Sequence, residues 1–170
     1  MVPTIQISKK PNGTVGPNNF SQDCIEFIEL LNKYQVKYVM VGGESVIYHG
    51  YARLTGDVDF FYDLIFDNCE KLFNALLEFW DGDIPGINKP DDLKPEGYFI
   101  QFGTPPNRID LMNSIDGISF SEVWSNKINE LIFNSEKEIP VNFIGLEELQ
   151  KNKKASSRPK DLQDFEYLKS

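Results

Sequence analysis

Apolar residues recur at three- and four-residue steps at Cys24, Phe27, Ile28 and Leu31, and Ser21 stands where a helix N-cap belongs. That pattern predicts a helix through about Lys33. KYVMV (37–41) reads as a buried strand. Gly42 and Gly43 break it, Glu44 supplies an acid at a helix start, and Gly50 closes the short segment ESVIYH. DVDFFY (57–62) is a second strand. A helix over about 66–80 follows, with Phe66, Cys69, Leu72, Phe73, Leu76 and Leu77 on its apolar side.

Residues 81–97 carry three prolines and three glycines, the composition of a long functional or disordered loop, and suggest a lid. GYFIQF (97–102) and RIDLMN (108–113) predict a hairpin joined through residues 103–107. A helix near 119–126, a strand at 139–144 and two tail helices complete the chain. The tail helices divide at Ser156 and Ser157, with Pro159 in the opening turn of the second. SKKPNGTVGPNN (8–19) reads as a loop, so residues 1–19 form a loose arm before a single domain over 20–170. Strands interleaved with helices, plus one hairpin, predict an α/β (α+β) fold with a mixed central sheet flanked by helices.

Composition narrows the picture. With 170 residues, 41% of them hydrophobic and 25% charged, the chain can bury a core, and no apolar run is long enough to span a bilayer. The opening MVPTIQISKK lacks the apolar core of a secretory signal, which points to the cytoplasm and no membrane partner. Cys24 and Cys69 lie apart in helical segments, as buried thiols do. A net charge of −9 repels polyphosphate, so nucleic-acid binding requires a local basic patch. KNKKASSRPK (151–160), with five basic residues and no acid, is a candidate for RNA; a solvated helix end explains it equally well.

The chemistry concentrates in VGGESVIYHGYARLTGDVDF. Alternation along a strand sends Asp57 and Asp59 to one face. Adjacent carboxylates need a counter-charge, either a divalent cation or an Arg or Lys. Mg²⁺ (or Mn²⁺) suits oxygen ligands of this kind. Two-metal phosphoryl transfer needs a further carboxylate, and Asp110 in RIDLM is the natural third. Gly42 and Gly43 allow close approach of a triphosphate. Arg53 and Thr55 flank the carboxylates, where Arg53 either touches phosphate or neutralises the acids. Lys153, Arg158 and Lys160 either reach the triphosphate or an RNA, or pair with Glu147, Glu148, Asp161 or Asp164. His49, the single histidine, reads as a helix-end residue.

Gly-Gly, thirteen residues, D-V-D-F, and a later I-D-L resemble the nucleotidyltransferase superfamily, the DNA polymerase β-like fold. The run HG-x-x-R-x-T-x-D-x-D is similar to a bacterial and archaeal subgroup that includes abortive-infection nucleotidyltransferase toxins and minimal nucleotidyltransferase antitoxins. Lys153, Ala155, Arg158, Lys160 and Asp161 resemble that subgroup's C-terminal element. The resemblance implies a nucleotidyltransferase fold ending in two helices. It implies a transferase that moves a nucleoside monophosphate from an NTP to a hydroxyl on RNA, protein or a small molecule, with pyrophosphate leaving. Asp57 and Asp59 would hold the metals and Asp110 would orient the acceptor. Many active members carry Gly-Ser where this chain has Gly42-Gly43. The alternative implied function is a weakly active or inactive interaction module, an antitoxin that binds a partner protein or a second copy of itself.

Overall fold

The computed structural model describes residues 6–7, 20–133 and 137–170. The sequence-predicted loop 8–19 therefore lies outside the described residues. Helix α1 (Gln22–Lys33) begins as expected, with Ser21 Oγ accepting from the Cys24 N–H at 3.2 Å. The other helices are α2 (Gly42–Tyr48), α3 (Phe66–Phe79), α4 (Phe120–Ser125), α5 (Leu146–Ser156) and α6 (Pro159–Leu168). Ser157 takes a left-handed conformation, φ 55°, which ends α5 and turns the chain into α6 behind Pro159.

The strands are the two-residue β1 (Gln6–Ile7), then β2 (Tyr38–Val41), β3 (Asp57–Tyr62), β4 (Phe99–Phe102), β5 (Arg108–Met112), β6 (Ile128–Phe133) and β7 (Glu138–Phe143). They form one mixed sheet in the order β1-β4-β5-β3-β2-β7-β6. β3 pairs parallel with β5 and β2 with β7, whereas β2–β3, β4–β5 and β6–β7 are antiparallel. The predicted mixed sheet and the hairpin at 103–107 are both present.

Strand alternation sorts the side chains into two apolar layers. Val58, Phe60 and Tyr62 of β3 pack with α1 and α3 in the larger one. Phe61 packs on the other face with Val46 of α2, Val123 of α4, Leu149 of α5 and Leu168 of α6. Asp57 and Asp59 share the parity of Phe61, so they stand on the face roofed by the tail helices. That is the placement that makes a site.

Two expectations need correction, and one strand was not anticipated. Residues 81–97 are not a lid: Ile84, Ile87 and Leu93 are buried in the larger core, and Pro90–Leu93 form a short 3-10 turn. The Tyr62 hydroxyl and the Asn113 amide both donate to the Leu93 carbonyl, and Asn113 also donates to that of Pro95. Polar and turn-forming residues hid this anchoring, because a few buried apolar side chains in an irregular stretch have no period. Strand β6 was absent from the sequence reading; Leu131 and Phe133 are 45% and 53% exposed, so its apolar content does not mark the buried face. Finally, α2 starts at Gly42 rather than Glu44, so the glycine pair is the first turn of the helix.

Cys24 and Cys69 are free and buried, as their settings implied. His49 follows α2 and lies 2.8 Å, through Nε2, from the Ile144 carbonyl, a structural contact. Among the described residues no helix is long and apolar enough to cross a membrane.

Candidate active site

Parallel pairing of β3 with β5 sets Asp59 opposite Asp110 and Asp57 opposite Arg108. One carboxylate oxygen from each of Asp57, Asp59 and Asp110 falls within 4.8 Å of the others. Residues 51 positions apart in sequence thus meet through a strand register. Oxygen donors at this spacing, all of one charge, suit a hard divalent cation.

The glycine turn is fitted to this cluster. Gly42 sits at φ +65°, and a Cβ on it would come 1.9 Å from Asp59 Oδ2. Any side chain there would displace the carboxylate. A Cβ on Gly43 would come 2.5 Å from Thr55 Oγ1 and 3.2 Å from Nη2 of Arg53. Thr55 Oγ1 in turn donates to Asp57 Oδ1 at 3.0 Å. The space that a serine would need is occupied by Thr55, which orients Asp57, and by Arg53, which accounts physically for Gly-Gly in place of Gly-Ser. Gly43→Ser is accordingly expected to lower the melting temperature by several degrees, the scale of overpacking a tight site. Adding Thr55→Ala should restore part of the loss; a double variant no more stable than Gly43→Ser would refute the steric reading.

The counter-charge on the trio comes from Arg108. It donates from Nη2 to Asp57 Oδ2 (2.6 Å) and Asp110 Oδ2 (2.9 Å), and from Nε to Asp110 Oδ1 (2.8 Å). Gln101, opposite Asp110 on β4, adds an amide contact at 3.3 Å. Sequence reasoning missed both residues. The signal for Arg108 was its position two residues before Asp110, on the same side of the strand; Gln101 is found only from the register of the hairpin.

Asp59 accepts no side-chain hydrogen bond among the described residues. Burial, then the charges of Asp57 and Asp110, push its carboxyl up to about 8 despite Lys153 and Arg108 nearby. Burial also raises Asp110, against the hydrogen bond from Arg108. Glu44, in the first turn of α2, rises to about 7 through burial, with Asp57 adding to it and Arg53 opposing. Without a cation the trio therefore retains a proton near neutral pH. With negative charge in excess of the local positive charge, the trio could take a further cation.

The tail helices close the cleft. Lys153 on α5 is 4% exposed and its Nζ reaches Asp161 Oδ1 at 2.6 Å and Asp164 Oδ2 at 3.0 Å. Arg158 pairs with Asp161 at 2.6 Å, and Ser156 also donates to Asp161. Arg53, from the loop leading to β3, reaches the same Asp164 at 3.0 Å. Burial would raise Asp161, yet hydrogen bonds from Lys153, Ser156 and Arg158 outweigh it and hold the carboxyl at about 2. Of the two pairings open for the basic tail, the structure shows Asp161 and Asp164. Arg53 pairs with Asp164 rather than with the trio.

A cleft of about 630 Å³ gathers these groups. Asp57, Asp59, Asp110, Gly42, Gly43, Arg53, Thr55, Lys153, Arg158 and Lys160 all line it. Every site residue anticipated from sequence thus faces one space. Lys160 is exposed and, among the described residues, is a lining cation with no carboxylate partner.

The model of the family described as "Nucleotidyltransferase of unknown function (DUF6036)" matches residues 22–168. No curated protein matches the chain.

Proposed function

The chain belongs to this nucleotidyltransferase family, and on that premise we propose that it is a Mg²⁺- or Mn²⁺-dependent enzyme that transfers a nucleoside monophosphate from an NTP to a hydroxyl acceptor. The observation that carries this reading is the convergence of Asp57, Asp59 and Asp110 beside the Gly42-Gly43 turn. A bound divalent cation supplies charge neutralisation for the phosphates and activation of the attacking hydroxyl. Asp57 and Asp59 would hold it, with Thr55 fixing the orientation of Asp57. Asp110, more deeply buried, would orient the acceptor hydroxyl, whose oxygen forms the new bond to the α-phosphorus as the bond to pyrophosphate breaks. Gly42 and Gly43 line the cleft at the start of α2, beside the carboxylates, where the triphosphate would lie. Lys160 offers an exposed positive charge to it, while Arg53, Lys153 and Arg158 form a paired cationic wall.

A second reading has its own observation. Arg108 already pairs with both Asp57 and Asp110, so the cluster is partly satisfied without a cation, as it would be in an antitoxin-like module that binds a protein partner and turns over little. Incubation with each labelled NTP, Mg²⁺ and a total cell extract separates the two. Label transferred by the wild type and lost with Asp57→Asn/Asp59→Asn supports the enzyme. A stable co-purifying partner with no labelled product from any NTP supports the module. Equal MgATP binding by wild type and double variant would remove these carboxylates from the site.

A further inference from the structure

Among the described residues, Phe99 has no packing role that explains it. It lies on β4 and lines the cleft, half-buried. It belongs to neither apolar core and makes no ring contact among the described residues. A phenyl ring placed on the site face of a strand, and left out of both cores, exposes apolar surface at the expense of stability.

Its neighbours define where it acts. Phe99 pairs in register with Met112, and Gln101 with Asp110. Phe99 is therefore a diagonal neighbour of Asp110, about 7–8 Å away between backbones. Met112 and Ile115 also line the cleft and are only partly buried at the margin of the smaller core. The sheet order sets β4 and β5 on one side of β3, and β2 with the glycine turn on the other. The apolar ledge thus lies across the carboxylates from Gly42 and Gly43. The cations Arg53, Lys153, Arg158 and Lys160 come from the loop before β3 and from the tail. On the Asp110 side the cleft thus presents the apolar surface of Phe99 and Met112, and across the carboxylates it presents the glycine turn.

We infer that Phe99, with Met112 and Ile115, is the platform on which the acceptor's nucleobase stacks, so that the acceptor is a nucleoside or nucleotide whose ribose hydroxyl reaches Asp110. This rests on the nucleotidyltransferase reading above. The offset between ring and carboxylate selects the class. In a nucleoside the sugar separates hydroxyl from base, which spans the gap between Asp110 and Phe99. A tyrosine carries its hydroxyl on the ring itself and has no sugar between the stacked ring and the acceptor oxygen. Base–aromatic stacking accepts any base, so the ledge fixes class and leaves sequence open.

The test uses adenosine and the dinucleotide ApA as acceptor probes, titrated calorimetrically into protein with Mg²⁺, with and without a non-hydrolysable ATP analogue. Phe99→Ala should weaken binding of the probes about tenfold, the scale of one lost stack, and Phe99→Trp should retain it. The affinity for the ATP analogue should be unchanged in both. Preference for ApA would identify an RNA end as the source, and equal binding a free nucleoside. Absence of probe binding, or equal binding by wild type and Phe99→Ala, overturns the inference. So does transfer of label to a tyrosine peptide in place of adenosine. Failure of the wild type to bind the ATP analogue counts instead against the nucleotidyltransferase reading, and the Phe99 dependence of adenosine binding is still read without it. Because Phe99 lies outside both cores, the melting temperature of Phe99→Ala should stay within a few degrees of wild type.

Discussion

Asp59→Asn is expected to abolish divalent-cation and MgNTP binding, and with it transfer, by about a thousandfold or more, while making the metal-free protein more stable at pH 8. The two effects share a cause. Asp59 is the member of the trio without a hydrogen-bonding partner among the described residues, so its charge is the least compensated and the most available to a cation. Its carboxyl stands near 8 in the folded chain against 3.8 in a free side chain. The folded state thus holds a proton that the unfolded state releases. The stabilisation from this group is complete below about pH 4 and is lost as pH rises through about 8. Metal-free wild type should lose melting temperature across that range, and Asp59→Asn should lose less. Glu44, raised to about 7, slopes the same way in both proteins and cancels in the comparison. Mg²⁺ should restore the wild type at pH 8 and leave the variant unmoved. Thermal scans between pH 5 and 8.5, with and without Mg²⁺, give the answer; parallel curves for the two proteins would dismiss Asp59 as a cation ligand.

Asp164 lies buried behind the cationic wall of the cleft, so Asp164→Ala should be strongly destabilising. Asp164 is 1% exposed and takes Arg53 from the loop before β3 and Lys153 from α5. Its removal leaves two buried or half-buried cations short of a partner, a change that costs about 3 kcal/mol. For a chain of this size that is roughly 10 °C in melting temperature. Asp161 still holds Lys153, so the larger consequence falls on Arg53 and the loop it anchors. MgNTP affinity should therefore fall together with stability. Glu in place of Asp164 should recover neither, because the pocket is closed around the shorter side chain. A drop in melting temperature below 2 °C would show that the pairs contribute little.

The reach of sequence reasoning follows from the range of each interaction. Ser21, the apolar period of α1 and α3, and Pro159 act over a few residues, and the elements they mark are present at nearly the expected bounds. Asp57 and Asp59 were legible because alternation is a local property of a strand. Residues 81–97 and β6 were not, because their burial is decided by distant partners: Tyr62 and Asn113 anchor the one, and β7 pairs with the other.

By itself, then, the sequence determined the alternation of strand and helix, the shared face of Asp57 and Asp59, and a glycine pair between strand and helix. Only the tertiary structure decided what those residues meet. The register of β3 against β5 brings Asp110 and Arg108 to the pair. The fold-back of α5 and α6 commits Lys153 and Arg158 to Asp161 and Asp164 and draws Arg53 to the tail. The same sheet order leaves Phe99 facing the cleft, outside both cores of the described residues. Local geometry can be read from neighbours a few residues apart; charge compensation and the identity of a ligand's neighbours depend on distances between remote segments, which exist only once the chain is folded.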